Sequence, residues 1–187
     1  MGGLDDMVLH ISSGMERFDP PPTMTDKLYV VDDRRVVAAL AADGEARWVL
    51  PADADGFPGR ARLTRVRIWL EGARLPDGGT VDVRMATRGN YLHRFGGTSY
   101  QFTSRPLVRD FRYRVTHTDD GCAEWVFPNG AYGSIEVDGM VDDEVGYAYV
   151  QPTPFAEWHV EVTGDALDLS DLTRVVMQFA GSANPRT

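Results

Sequence analysis

Three ionisable residues alternate along one short segment of the sequence: Glu157, His159 and Glu161. Side chains two positions apart lie on the same face of an extended strand. One imidazole and two carboxylates on one face are arranged as metal ligands in small barrels are. Charged residues on the solvent face of a half-buried strand give the same pattern, and the spaced histidine motif of metal-binding cupins is absent. Both interpretations stay open.

Two acidic groups could hold calcium, which prefers oxygen ligands. Residues 53–56 (Asp-Ala-Asp-Gly) resemble part of a calcium loop, but proline and arginine occupy its first and last ligand positions, so we interpret this group as an ordinary turn. Asp142, Asp143 and Glu144 form the better candidate metal site, with a solvated turn as the alternative. The sequence predicts no cofactor, with calcium as the possible exception.

Residues 88–100 (Arg-Gly-Asn-Tyr-Leu-His-Arg-Phe-Gly-Gly-Thr-Ser-Tyr) combine aromatic, arginine, asparagine and glycine residues. Such side chains are typical of recognition surfaces, because flat rings stack and guanidinium groups form several hydrogen bonds. We predict a long loop at residues 88–99, and the candidate binding residues of the stretch are Arg88, Asn90, Tyr91, Arg94, Phe95 and Tyr100. The alternative is a long hairpin whose aromatic rings cover the end of the domain.

Motifs for catalysis are missing from the sequence. It contains no Gly-x-Ser-x-Gly elbow, P-loop, dinucleotide-binding glycine motif or zinc-binding helix motif. Cys122, the single cysteine, follows Asp-Asp-Gly and has no catalytic pattern around it. A pair of carboxylates for glycoside hydrolysis can be far apart in sequence, and no feature selects such a pair. We therefore predict no catalytic residues and no enzymatic activity.

The composition excludes some partners. With 187 residues and a net charge of -9, the chain lacks the cationic excess that nucleic acids and anionic membranes attract. No apolar run is long enough to span a membrane. Residues 1–6 lack the basic and apolar regions of a secretory signal, so we expect no such signal here.

Short alternating segments separated by Gly, Pro and Asp turns predict an all-β fold, an antiparallel β-sandwich, with a jelly roll as the preferred version. Residues 34–42 are ambiguous, since their composition favours a helix and their position between strands favours a strand; we predict a strand. Three consecutive prolines divide an N-terminal arm or edge strand, residues 1–22, from a single domain, residues 23–187.

Two segments share a pattern, residues 62–73 and residues 172–182. After a common Leu-Thr-Arg-Val, apolar residues occur at every second position, which predicts two strands. We hypothesise that both strands lie in the middle of sheets, as parts of two similar halves, although a short alternating match also arises by chance. In the first segment, Arg65, Arg67 and Trp69 are predicted to face away from the apolar row.

The closing segment has a Trp-containing strand, a Leu-Ser-Asp-Leu loop and a final apolar strand, within residues 154–179. This order resembles the closing β-sandwich segment of the A subunits of bacterial insecticidal toxin complexes, and residues 63–72 are similar to a strand of the same region. That region serves assembly with other toxin subunits. The resemblance carries over no functional residue, and the chain lacks the pore-forming and shell portions of those subunits.

These observations predict a non-enzymatic module that binds a larger protein subunit of a secreted or injected assembly. An N-terminal arm could add a strand to the sheet edge of the partner, so deletion of residues 1–19 is expected to weaken assembly. The alternative is a lectin-like domain that binds a glycan through Tyr91, Phe95 and Tyr100 with the acidic group at 142–144. A glycan-cleaving enzyme is a third, weaker hypothesis. Export as part of a released complex is the expected location.

Overall fold

The computed structural model describes residues 23–58, 60–76, 78–115, 133–141, 151–164 and 166–183. These residues form one short helix and two antiparallel β-sheets that pack together. The predicted all-β sandwich is therefore confirmed, while its jelly-roll version stays a prediction. The elements in chain order are β1 (Thr23–Val31), α1 (Arg34–Asp43), β2 (Glu45–Val49), β3 (Ala61–Glu71), β4 (Thr80–Phe95), β5 (Thr98–Thr103), β6 (Val108–Val115), β7 (Gly133–Asp138), β8 (Ala156–Thr163) and β9 (Arg174–Ala183).

The smaller sheet has three strands in the order β1-β9-β3. The two strands with the shared pattern pair with each other, with Ile68 opposite Met177. The prediction that both lie in the middle of a sheet is confirmed for β9 and wrong for β3, which is an outer strand. Alternation indicates which face of a strand is apolar but not which strands are its neighbours. The outer side of β3 is partly covered, since the Val66 amide donates to the Gly139 carbonyl at 3.2 Å.

The larger sheet has six strands, in the order β2-β8-β4-β6-β7 with β5 paired to β4. Its inner side chains form one apolar core with the smaller sheet. The Trp158 and Phe179 rings, one from each sheet, lie 5.8 Å apart between centroids. Trp69 is also buried, with its ring 4.9 Å from that of Phe111. Arg67 is buried beside Asp138, with which it forms an ion pair. Arg67 and Trp69 are therefore both buried.

Residues 34–43 form a helix, so the predicted strand is wrong. The side chain of Asp33 accepts a hydrogen bond from the Arg35 amide at 2.8 Å and caps the N-terminal end. Gly44 ends the helix in the left-handed conformation, with φ +71°, and donates to the Leu40 carbonyl. The segment forms a helix although it lies between strands, because it is rich in alanine and has a capping residue at each end.

The predicted loop at residues 88–99 is also wrong, because β4 continues to Phe95 and turns directly into β5. Gly96 and Gly97 both have positive φ, as tight two-residue hairpin turns require. Gly89 has φ +81° where the pairing of β4 with β8 shifts register. The glycines that suggested a loop therefore form a bulge and a turn within a long hairpin.

Several predictions concern residues outside those described. These are the N-terminal arm at residues 1–22, Cys122 and the acidic group Asp142, Asp143 and Glu144. In the part of the chain that the structure describes, no helix has both the length and the apolar character of a membrane span.

Candidate functional site

The end of the β4–β5 hairpin carries a row of aromatic side chains. Alternation places Tyr91, His93 and Phe95 on one face of β4, and pairing sets Phe102 opposite Tyr91 and Tyr100 opposite His93. The His93 ring lies 5.6 Å from the Tyr100 ring and 5.4 Å from the Phe102 ring, between centroids. The rings of the two strands thus form one continuous aromatic layer.

Two arginines lie over this layer: Arg60, directly before β3, and Arg62, in β3. The guanidinium carbon of Arg60 is 3.8 Å from the centroid of the Phe95 ring, and that of Arg62 is 5.5 Å from the Phe102 ring. A cation over an aromatic face is attracted by the ring quadrupole. We call this set the arginine-aromatic surface; its members are Arg60, Arg62, His93, Phe95, Tyr100 and Phe102.

The arginine-aromatic surface is positively charged, although the protein as a whole is acidic. Burial, with a contribution from the charge of Arg60, lowers the pKa of Arg62. Among the described residues, no carboxylate forms an ion pair with Arg60 or Arg62. Two guanidinium groups therefore stand beside exposed rings without a neutralising acid in the described structure.

The same surroundings disfavour protonation of His93. Burial, followed by the charges of Arg62 and Arg60, lowers the pKa of His93 below its ordinary value of 6.5. Its Nδ1 atom is buried and has no hydrogen-bond partner among the described residues, in keeping with an uncharged ring. As the pH falls, His93 takes up a proton in the unfolded chain before it does so in the folded protein. The folded state therefore loses stability relative to the unfolded state as the pH falls from about 6.5 through the folded-state pKa of His93.

Replacement of Arg62 by glutamine is expected to raise the pKa of His93, because it removes a cation that disfavours the imidazolium. Titration of the His93 ring by NMR measures this shift. Arg84→Gln is the matched control, because it removes an exposed arginine that lies on β4, the strand of His93, but outside the arginine-aromatic surface. A His93 titration that moves equally in both variants would contradict the local electrostatic origin.

The predicted binding residues do not all lie together. Phe95 and Tyr100 belong to the arginine-aromatic surface and are 39% and 46% exposed. Asn90 and Arg94 are exposed, but they alternate with its aromatic residues and lie on the opposite face of β4. Arg88 is exposed and lies 3.8 Å from Glu157, between its Nε and a carboxylate oxygen.

Tyr91 is a correction to the predicted binding residues, because it is completely buried. Its hydroxyl group donates to the Arg105 carbonyl at 3.0 Å and lies 2.7 Å from the Thr87 hydroxyl. A ring in this position cannot contact a ligand. Tyr91 instead fixes the hairpin to the chain that follows it.

Sequence reasoning missed four members of the arginine-aromatic surface: Arg60, Arg62, His93 and Phe102. His93 and Phe102 could have been found, because each is two positions from another aromatic residue once the segment is treated as a hairpin. The two arginines had no such signal, since they reach the hairpin from a different strand. Tertiary packing alone brings them together.

The structure keeps only two of the three predicted metal ligands on β8 close together, and these are His159 and Glu161. His159 and Glu161 remain close, with Nδ1 3.8 Å from a carboxylate oxygen, while Glu157 lies beside Arg88. Glu45 of β2 joins them, 3.2 Å from His159 Nε2. The candidate ligand set thus changes to Glu45, His159 and Glu161.

No protein-family model and no curated protein matches this chain. We therefore infer its function from the chemistry of its own surfaces.

Proposed function

We propose that the protein is a non-enzymatic β-sandwich module that binds another protein through the arginine-aromatic surface. The partner is a larger subunit of the same assembly, in line with the resemblance to toxin-complex A subunits. The observation that supports this proposal most strongly is the group of exposed rings and unneutralised arginines at the end of the β4–β5 hairpin.

The residue types of this surface favour a protein partner. Tyrosine, phenylalanine and arginine are enriched at protein interfaces, where large rings fill pockets and guanidinium groups bind carboxylates. Phe95 and Tyr100 are exposed at the hairpin tip, as anchors for a partner pocket need to be. Arg60 is already positioned by the Phe95 ring, so less conformational entropy is lost when it binds.

The charge of the surface indicates the kind of patch that it binds. Arg60 and Arg62 have no ion-pair partner in the described structure and would meet one on a complementary acidic patch. Acidic groups on the partner would also raise the pKa of His93, so that binding tightens as the pH falls towards 6. We therefore propose an acidic partner surface with an apolar pocket at its centre.

Affinity capture of the tagged full-length chain from its source cells and culture fluid tests this function. The wild type is expected to retain one companion protein in fixed ratio, identified by mass spectrometry. The double variant Arg60→Gln/Arg62→Gln should retain it at least about tenfold less strongly, which corresponds to ~1.4 kcal/mol of binding free energy.

Arg84→Gln is the control for the loss of positive charge, because Arg84 is exposed on β4 away from the surface. It should retain the companion as the wild type does. Equal retention by the double variant, or the absence of any companion in fixed ratio, would contradict the proposed function.

A carbohydrate-binding function is the second candidate, supported by the exposure of the Phe95 and Tyr100 rings, since sugars stack on such faces. It predicts binding on a glycan array that Phe95→Ala and Tyr100→Ala abolish. Loss of that binding with a chelator would assign a calcium role to the acidic group at 142–144. Protein capture without glycan binding would decide for the first proposal.

A further inference from the structure

A second cluster of chemistry-bearing side chains lies on the outer face of the larger sheet, where β2 pairs with β8. Glu45 is opposite Glu161, and Arg47 is opposite His159, in a continuous antiparallel register. Residues that are paired across two strands share a face of the sheet, and so do residues two positions apart on one strand. The three potential ligands Glu45, His159 and Glu161 therefore lie on one face of the adjacent strands. This cluster is independent of the arginine-aromatic surface and of the function proposed for it.

The ligand atoms of this cluster already converge. One atom from each of Glu45, His159 and Glu161 can be chosen so that all lie within 4.8 Å of one another. His159 Nε2 is 3.2 Å from Glu45 Oε2, and His159 Nδ1 is 3.8 Å from Glu161 Oε1. Ligand bonds to zinc are about 2.0–2.2 Å long, so rotation of the two exposed carboxylates would bring the atoms into one coordination shell.

The strands beneath the cluster are anchored by buried side chains, whereas the ligands of the cluster are accessible. Trp48 and Trp158 are paired directly beside the cluster residues, and both are buried. The side chains of His159, Glu45 and Glu161 are 23%, 57% and 49% exposed, so an ion can reach them from solvent. A partly buried imidazole beside two exposed carboxylates is a suitable start for an open metal site.

The two carboxylates are not neutralised by the arginines nearest in register. Arg47 lies opposite His159 and Arg84 opposite Glu161, yet neither forms an ion pair with Glu45 or Glu161 among the described residues. The close approach of two carboxylates to one imidazole ring concentrates negative charge that a divalent cation would balance.

We propose that Glu45, His159 and Glu161 form a binding site for a zinc-type divalent cation. One imidazole nitrogen and two carboxylate oxygens make three protein ligands, and water completes the tetrahedral set. This composition favours zinc over calcium, which takes six to eight oxygen ligands. Because the neutral imidazole is the ligand, zinc binding displaces the proton and weakens at acidic pH.

Isothermal titration of tag-free, full-length protein with zinc chloride at pH 7.5 tests the site. The wild type is expected to bind one zinc ion through it, and His159→Ala and Glu45→Gln/Glu161→Gln should each weaken that binding at least tenfold. Glu157→Gln removes a carboxylate from the same strand that lies beside Arg88 instead, so it should bind zinc as the wild type does.

Thermal unfolding with and without zinc chloride provides a second readout and shows that each variant is folded. Zinc should raise the unfolding temperature of the wild type and of Glu157→Gln, but not that of His159→Ala. Equal zinc affinity in the wild type and His159→Ala, absence of zinc binding, or binding of calcium chloride in preference to zinc would each overturn the proposal.

Discussion

Trp158→Ala is expected to lower the free energy of unfolding by about 3–5 kcal/mol, the range for removal of a large buried aromatic side chain. The ring is completely buried on β8 and contacts Phe179 of the opposite sheet. Its Nε1–H donates to the Pro154 carbonyl at 2.8 Å. The variant therefore opens a cavity between the sheets and leaves a buried carbonyl without its donor.

Urea unfolding followed by circular dichroism measures this loss. Trp158→Phe is the matched comparison, because phenylalanine keeps most of the apolar volume but cannot form the hydrogen bond. Its loss should be clearly smaller than that of alanine. A cost below about 1 kcal/mol for Trp158→Ala would show that the two sheets do not depend on this contact.

Gly139→Ala is expected to cost about 2–5 kcal/mol. Gly139 has φ +60°, where a Cβ atom is strained by about 1–2 kcal/mol. A Cβ atom there would also collide with the Val66 carbonyl oxygen, and such overpacking adds about 1–3 kcal/mol. Since the Gly139 carbonyl accepts from the Val66 amide, the variant separates this segment from the outer side of β3.

Gly96→Ala separates these two effects. Gly96 has φ +55°, close to that of Gly139, but a Cβ atom there has no neighbour within 4 Å. Its loss in the same urea experiment should therefore be only the backbone strain. Equal losses for the two variants would mean that the contact between residue 139 and β3 contributes nothing to stability.

The sequence predicted the fold class because alternation follows directly from strand geometry. The prediction failed where alternation carries no information about the backbone conformation. The position of residues 34–42 between strands predicts a strand, while the residues that cap the observed helix, Asp33 and Gly44, carry no hydrophobic pattern. The hairpin was assigned as a loop because Gly89, Gly96 and Gly97 interrupt a pattern that continues through them. Both errors concern residues whose backbone conformation, rather than hydrophobicity, decides the structure.

The candidate sites show the same limit. Phe95 and Tyr100 are exposed in the structure, but Arg60 reaches Phe95 from a part of the chain that the local sequence does not connect with it. Glu45 joins His159 in the same way, through pairing of β2 with β8. Residues brought together by long-range pairing leave no local pattern, so a single sequence could not reveal either arrangement.

Hydrogen–deuterium exchange of the chain, alone and bound to its captured companion, tests the central claim most directly. If the arginine-aromatic surface is the binding site, peptides that contain residues 60–62 and 91–103 should exchange more slowly in the complex, while β1 should be unchanged. Protection confined to β1, the outer strand of the smaller sheet, would contradict this account and indicate strand addition at a sheet edge instead.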